Sequence, residues 1–505
     1  MESAENISRN VHKEINIAEL TYLFYFAVMF GARAIGLFEG MHIYNISLII
    51  GMVLFVTKVA MTDHTVFEYC FMGLLLLISV IVYYNTGEKG LLLYFTMMLG
   101  MKGVSIRRVF KLGTIILSVS FTSLVLLSIT GLKEEIIYVK ERAGFGSVIR
   151  HSLGYPYPNT LFTTYIVLMV LIMYMLGKQS KKNLLLTTLF MFIGAVYIFI
   201  YSCSNTGLIV SVFYLLANLY LQLRPKLSKF EKICVQLVYP LCLIFAIIVP
   251  LITKGALFQL LDKILHNRWA YSLYYLTNEP VSLLGVRFKE APNTNYMIDS
   301  SFLYSFLQLG VIPFLIVTLL YFGMIHDYVK REMKTEIAII VSFCVLGLSD
   351  PFLFNLSYKN LMFLFLGEFV YRKFKSLEMR NMGILNYKIQ LLSIGSRKLS
   401  YSNVLYSKCA EKLKKIGIVI SKNSSYLTLI YIASAGLISV TLYIITSAGY
   451  IVGKIDEVNE WEYVRNVLSC GGWISVFIVV LFILLISKRE KKVIKGEVNY
   501  ENHAK

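Results

Sequence analysis

Arg142 and Arg150 lie in the stretch RAGFGSVIRHSLGYPYPN (Arg142–Asn159), Arg268 in LDKILHNRWAYSLYYL, and Arg287 in LLGVRF. A guanidinium stays charged at any cellular pH and forks onto phosphate oxygens, so four such groups suit a lipid-linked diphosphate. A diphosphate of that kind is the leaving group of polyprenol-activated sugars, and arginines can neutralise it without a metal. Transfer to a hydroxyl also needs a proton acceptor, because the pKa of an alcohol lies far above neutrality. His151, Asp299, Glu290 and His266 are the candidates. The competing reading is that individual arginines anchor to anionic headgroups or pair with loop acids such as Glu141 and Glu290.

These groups must be positioned by a chain built for a membrane. Of its 505 residues 57% are hydrophobic and only 16% charged, and the mean hydropathy is +0.66. No soluble core absorbs that much apolar surface. The expected fold is an all-α polytopic membrane protein with about fourteen transmembrane helices of roughly 17–25 residues. The apolar windows include a long one at Ser301–Ile325 and short ones at Leu91–Met101, Ile337–Leu348 and Leu361–Tyr371. Lysine and arginine cluster in alternate connectors: Lys102 to Lys111, Lys178 to Lys182, Arg224 to Lys232 and Lys330 to Lys334. The positive-inside rule places these in the cytoplasm and, with the tail KREKKVIKGE, both termini as well. Residues 132–158 and 254–300 then become two large external loops of a multi-pass plasma-membrane protein. Their four arginines break the rule that oriented the chain. Most of the +19 net charge reads as topology, so no nucleic-acid partner is expected.

Other classes of chemistry are disfavoured. The first dozen residues are polar and the first apolar run is long enough to span, so no cleavable signal peptide is expected. The seven cysteines show no paired external spacing, the seven histidines do not pair at helical spacing, and P-loop, GxGxxG and HExxH motifs are absent. Neither a disulfide framework nor a metal site, an ATP-driven pump or a metalloprotease fits that pattern, and no cofactor is expected.

Three regions follow: a transmembrane core over 1–374, a basic amphipathic cytoplasmic segment over 375–425, and a transmembrane hairpin with a basic tail over 426–505. The basic segment suits the anionic inner leaflet, or docking of a chain-length regulator. Leu260–Leu276 has helical apolar spacing and reads as one interfacial helix carrying Arg268 over the headgroup plane. Arg33 falls inside the first apolar run, where a charge is either functional or snorkels to the interface. Asp350, near the outer end of a span, binds sugar hydroxyls, pairs with an arginine, or merely ends a helix before Pro351, the last being slightly favoured. The 35 tyrosines suit sugar stacking or, for most of them, interfacial belts.

Arg150, then Ser152, Leu153, Gly154, Tyr155, Pro158 and Asn159 ahead of an apolar span, resemble the signature of bacterial Wzy-type polysaccharide polymerases, which are related to O-antigen ligases. Tyr157 stands where that signature often has histidine. Asn267, Arg268, Gly285, Asp299, Ser301 and Gly310 follow the same family's downstream order. LGLSDPFLFNLSYKN resembles its Gly-Leu-Ser-Glu segment, with Asp350 in place of glutamate. The likeness spans roughly Met29 to Tyr371 and leaves out the last two spans. It implies a metal-independent membrane glycosyltransferase that polymerises undecaprenyl-diphosphate-linked oligosaccharide on the outer face, as in capsule or O-antigen synthesis. Arg150, Arg268, His151 and Asp299 would be its catalytic groups. Arg142, Asn159, Tyr157, Arg287 and Asp350 would bind substrate. Partners would be the lipid-linked oligosaccharide, membrane lipid, and a flippase and chain-length regulator. The alternatives are a flippase, disfavoured by the scarcity of charge within spans, and an O-antigen-type ligase, which differs only in its acceptor.

Overall fold

The computed structural model describes residues 12–142, 146–265, 267–289, 291–292, 297–351, 359–378, 383–402, 424–451 and 463–483. In hydrocarbon every backbone N–H and C=O must be satisfied within the chain, and long apolar runs achieve this as helices. Eleven helices among the described residues are long and apolar enough to cross a membrane. In chain order come α1 (Ile17–Ala34), α2 (His42–Ala60), α3 (Val66–Thr86), α4 (Gly90–Leu99) and α5 (Ile106–Ile129). A β-hairpin of β1 (Ile137–Arg142) and β2 (Gly146–His151) separates them from α6 (Pro158–Leu176), α7 (Lys181–Ser202) and α8 (Asn205–Leu223). Then come α9 (Lys229–Ile252), α10 (Gly255–Ile264), α11 (Arg268–Asn278), α12 (Ser301–Leu307), α13 (Val311–Lys330), α14 (Lys334–Leu346) and α15 (Met362–Glu378). The last two are α16 (Ser424–Ile451) and α17 (Tyr463–Ile483).

The chain divides into two compact units, one of Met1–Ile15, Leu126–Lys133 and Leu399–Lys505, the other of Asn16–Val125 and Glu134–Lys398. In the first, α16 and α17 run antiparallel: Leu427 packs with Ile483, Gly471 lies against Ser439 Oγ, and Tyr463 donates to the Tyr443 carbonyl at 3.2 Å. A small residue at the crossing lets the two backbones approach, the usual basis of helix association in lipid.

The larger unit is built around its short helices. Leu91, Tyr94, Phe95 and Met97 of α4, Ala338, Ile339 and Phe343 of α14, and Met362 to Leu366 of α15 are fully enclosed. A helix apolar on all sides and surrounded by protein need not match the bilayer thickness, which explains the three short windows. By contrast α2 turns Ile43, Ile46, Ile49, Val53 and Val56 outward. Close contacts fix α7 and α8 against α6: any side chain at Gly194 would overlap the Tyr165 hydroxyl, and any at Gly207 the Phe162 ring.

Charge collects at both ends of the helices. At the N-terminal end of α1, Glu19 accepts from Arg108 and from the Ser105 N–H. Beside it Glu68 accepts from Lys102 at 2.6 Å and bonds His64 at 2.8 Å. Further round, Asp327 and Glu368 hold Arg331 and Arg372. The segment 383–398 closes this end, with Lys388–Ile389 paired to His64–Thr65 and the Leu392 N–H on the Ala60 carbonyl. Residues 403–423, most of the basic amphipathic stretch, lie outside the described residues.

Two continuous elements expected from periodicity are broken. The window Ser301–Ile325 is two helices, α12 and α13, separated at Gly310, whose φ is +97°. Here Ser282 to Val286 crosses the chain: Val311 and Ile312 donate to the Ser282 and Leu283 carbonyls, and Val286 donates to Gln308. A β-carbon on Gly310 would sit 2.4 Å from the Gly285 nitrogen, and one on Gly285 (φ +87°) 2.7 Å from the Gln308 carbonyl. The amphipathic run Leu260–Leu276 likewise divides into α10 and α11. Asn267 turns left-handed, and the Asp262 carboxylate accepts from the Trp269 and Ala270 N–H groups, supplying partners to the exposed start of α11.

Gly310→Val combines a forbidden φ with backbone overlap, and each such strain costs about 1–3 kcal/mol. The detergent-solubilised variant is expected to melt well below the wild type, whereas Gly73→Val, with open space around Gly73, should melt within a few degrees of it.

Candidate functional site

The opposite ends of these helices carry most of the residues singled out by sequence, and the hairpin organises them. Register sets Tyr138 opposite Arg150 and Ile137 opposite His151. After β2 the chain reverses through Leu153 (φ 44°) and Gly154 (φ 82°), with the Tyr155 N–H returned to the Ser152 carbonyl. A left-handed leucine is strained by about 1–2 kcal/mol. Glu135 offsets this by accepting the Leu153 N–H at 2.7 Å while its other oxygen meets His151 Nδ1 at 2.9 Å. The Ser-Leu-Gly-Tyr motif thus builds a turn, and His151, only 4% exposed, is part of its framework. Pro158 then starts α6 with Tyr157 extended before it, as the residue ahead of proline must be.

Arg150 and Arg268, distant in sequence, meet the same short connection. Arg150 Nε donates to the Ser202 carbonyl at 2.8 Å and its terminal nitrogen to Asn159 Oδ1 at 2.7 Å. Ser204 donates to that same Asn159 oxygen at 3.1 Å. Arg268 Nε bonds Asp299 at 2.9 Å and its Nη1 reaches Thr206 Oγ1 at 3.2 Å. The turn between α7 and α8, YSCSNTG, therefore holds both guanidiniums, with Cys203 left-handed (φ 47°) between the helices. Sequence reasoning passed over this turn; its signal is a cluster of serine and threonine hydroxyls at the joint of two spans.

Asp350 belongs to the same neighbourhood. It accepts from Thr163 at 2.9 Å, its own carbonyl accepts from Ser301 at 2.7 Å, and it lies within electrostatic reach of Asp299, Arg268 and Lys359. It lies past the end of α14, which stops at Leu346, in the connection before Pro351. Burial pushes its carboxyl up to about 6, against the Thr163 hydrogen bond, and the Asp299 charge adds to the rise. Arg142 stands at the hairpin tip, in register with Gly146. Arg287 is exposed beside Gly87 and does not join the other two arginines. Glu290 and His266 lie outside the described residues.

Next to this arrangement opens a cleft of about 690 Å³. Tyr138, Tyr155, Tyr157 and Tyr275 are in its wall, with Glu39, Glu88, Arg33 and Lys359 among the charged residues of the lining. Tyr157, 58% exposed, packs on Tyr138 with ring centres 5.6 Å apart. Arg33 donates to the Leu37 carbonyl at 3.0 Å and lies over the Tyr44 ring. Lys359, 3% exposed, donates to Thr164 and faces the Tyr155 ring. Arg150 and Arg268 stand beside this cleft and are not in its lining. Comparison with protein families, with characterised proteins and with solved structures finds no match to this chain.

The folded state holds the Asp350 proton more tightly than the unfolded chain does. The Asp350 contribution to stability must therefore fall as pH rises from the ordinary carboxyl value near 3.8 through about 6. Asp350→Asn is expected to remove that decline, so that its melting temperature gains on the wild type between about pH 4 and about pH 7; parallel curves would contradict the burial argument.

Proposed function

We propose that the protein transfers a glycan from a polyprenyl diphosphate to a hydroxyl of a second lipid-linked oligosaccharide, as a polysaccharide polymerase at the plasma membrane. The observation that carries this reading is the convergence of Arg150 and Arg268 on one turn beside a tyrosine-walled cleft. The two guanidiniums suit the diphosphate, whose charge rises as the anomeric C–O bond breaks. The acceptor hydroxyl forms the new bond and releases its proton, and cleavage of the activated sugar drives the step without a nucleotide. Asn159 and Asp299 each take one arginine's hydrogen bond and so aim it. Tyr138, Tyr157 and Tyr275 offer faces for sugar rings, and Glu39 and Glu88 offer acceptors for sugar hydroxyls. An O-antigen-type ligase would share the donor half of this chemistry.

Arg150→Ala and Arg268→Ala are expected to abolish polymer while single lipid-linked units and the protein persist. Arg150→Lys should restore little, since one ammonium cannot reach both the Ser202 carbonyl and Asn159 as the fork does. Purified protein given lipid-diphosphate oligosaccharide and no nucleotide should yield a ladder of products. Unchanged polymer length in both alanine variants would refute the arginine roles, and intact lipid intermediates with no product would refute the enzyme.

A further inference from the structure

The cations of the cleft are not those of the α7–α8 turn. Lys359 lies just before α15 and is 3% exposed, and Tyr155, under its ammonium, is 2% exposed. These two therefore form the deep wall of the cavity. The ammonium donates to Thr164 Oγ1, and the Thr164 hydroxyl in turn donates to the Thr160 carbonyl. Its ring contact with Tyr155 is 5.7 Å. No carboxylate among the described residues forms an ion pair with Lys359. The nearest by electrostatics, Asp350, is held by the neighbouring Thr163. Arg33 lines the same cavity and its charge adds to that of Lys359.

A buried ammonium satisfied only by a hydroxyl and a ring face is expensive, because neither supplies a countercharge. Burial, reinforced by Arg33, pulls the Lys359 amine down to about 7. An anion bound in the cleft would supply the countercharge that these contacts do not. Glu39 and Glu88 share the lining, but Glu39 is paired with Lys89 at 2.7 Å and Glu88 accepts from Gln308 at 3.1 Å. Both lining carboxylates therefore already have partners other than Lys359.

We infer that Arg33 and Lys359 form an anion subsite in the cleft, separate from Arg150 and Arg268, which takes a negatively charged group of the bound glycolipid. Two sources share that chemistry: the carboxylate of an acidic sugar and the diphosphate of the lipid carrier. With the diphosphate held at the α7–α8 turn, the subsite selects acidic repeat units, and this assignment rests on the transferase reading. The anion subsite itself does not, since it is tested by binding.

The test is thermal melting of the full-length protein in detergent at low salt, titrated with methyl glucuronide, with inorganic pyrophosphate and with neutral methyl glucoside. The wild type should show a melting temperature that climbs with concentration for at least one of the two anions and not for the glucoside. Lys359→Met, close in length and uncharged, should lose that climb. Arg33→Gln should weaken it, and this second variant decides the matter if the first fails to fold. A glucuronide response lost in Lys359→Met identifies an acidic sugar as the occupant. A pyrophosphate response lost in the same variant moves the diphosphate into the cleft and removes it from the α7–α8 turn. Equal responses to glucuronide and glucoside, no response to either anion, or responses to both anions unchanged in both variants would overturn the subsite.

Discussion

Beside hydrocarbon a charged side chain is tolerated only with a partner in reach, because the low dielectric that makes an ion pair strong makes a lone ion costly. That requirement arranges both ends of this protein. At one end the basic connectors are tied to Glu19, Glu68, Asp327 and Glu368, which fasten the helix ends there. At the other end Arg150 and Arg268 find a hydroxyl, a carbonyl, an amide oxygen and one carboxylate. Lys359, like Lys58 at the first end, is buried without a carboxylate ion pair among the described residues, and what sets it apart is that it lines the cleft.

The second constraint is steric. Irregular backbone at the helix ends has to be braced by other backbone, and bracing needs close approach. Gly285 and Gly310 face each other for that reason, and the contact breaks a span that hydropathy alone draws as continuous. Asp262 and Asn267 do the equivalent work for α10 and α11, bringing Arg268 to the first residue of a helix whose Trp269 and Ala270 N–H groups donate to the Asp262 carboxylate. The loops around the site are thus framework as much as lid. The Ser-Leu-Gly-Tyr turn, with His151 and Glu135 behind it, belongs to the same bracing.

Hydropathy and charge were enough to read a polytopic helical protein, because long apolar runs have one backbone solution in lipid and alternating basic connectors leave a one-dimensional trace. Arg150 and Arg268 stood out in the sequence as exceptions to the charge rule that oriented the chain, but their meeting on one turn did not. The short windows over α4, α14 and α15 were visible as apolar runs, but their place at the centre was not, for burial depends on neighbours that are distant in the chain. Nor could residue order reveal that Ser202, Ser204 and Thr206 gather two arginines, or that Thr163 and Thr164 hold Asp350 and Lys359 side by side.

The sequence by itself determined the helical membrane class, the layering of charge and the pair of arginines worth testing, because each of these is a local matter of transfer energy or charge type. Only the tertiary structure decided which cations share a turn and where helices break. Which buried lysine faces the cleft is likewise a matter of approach between segments tens to hundreds of residues apart, and composition and periodicity carry no record of such distances.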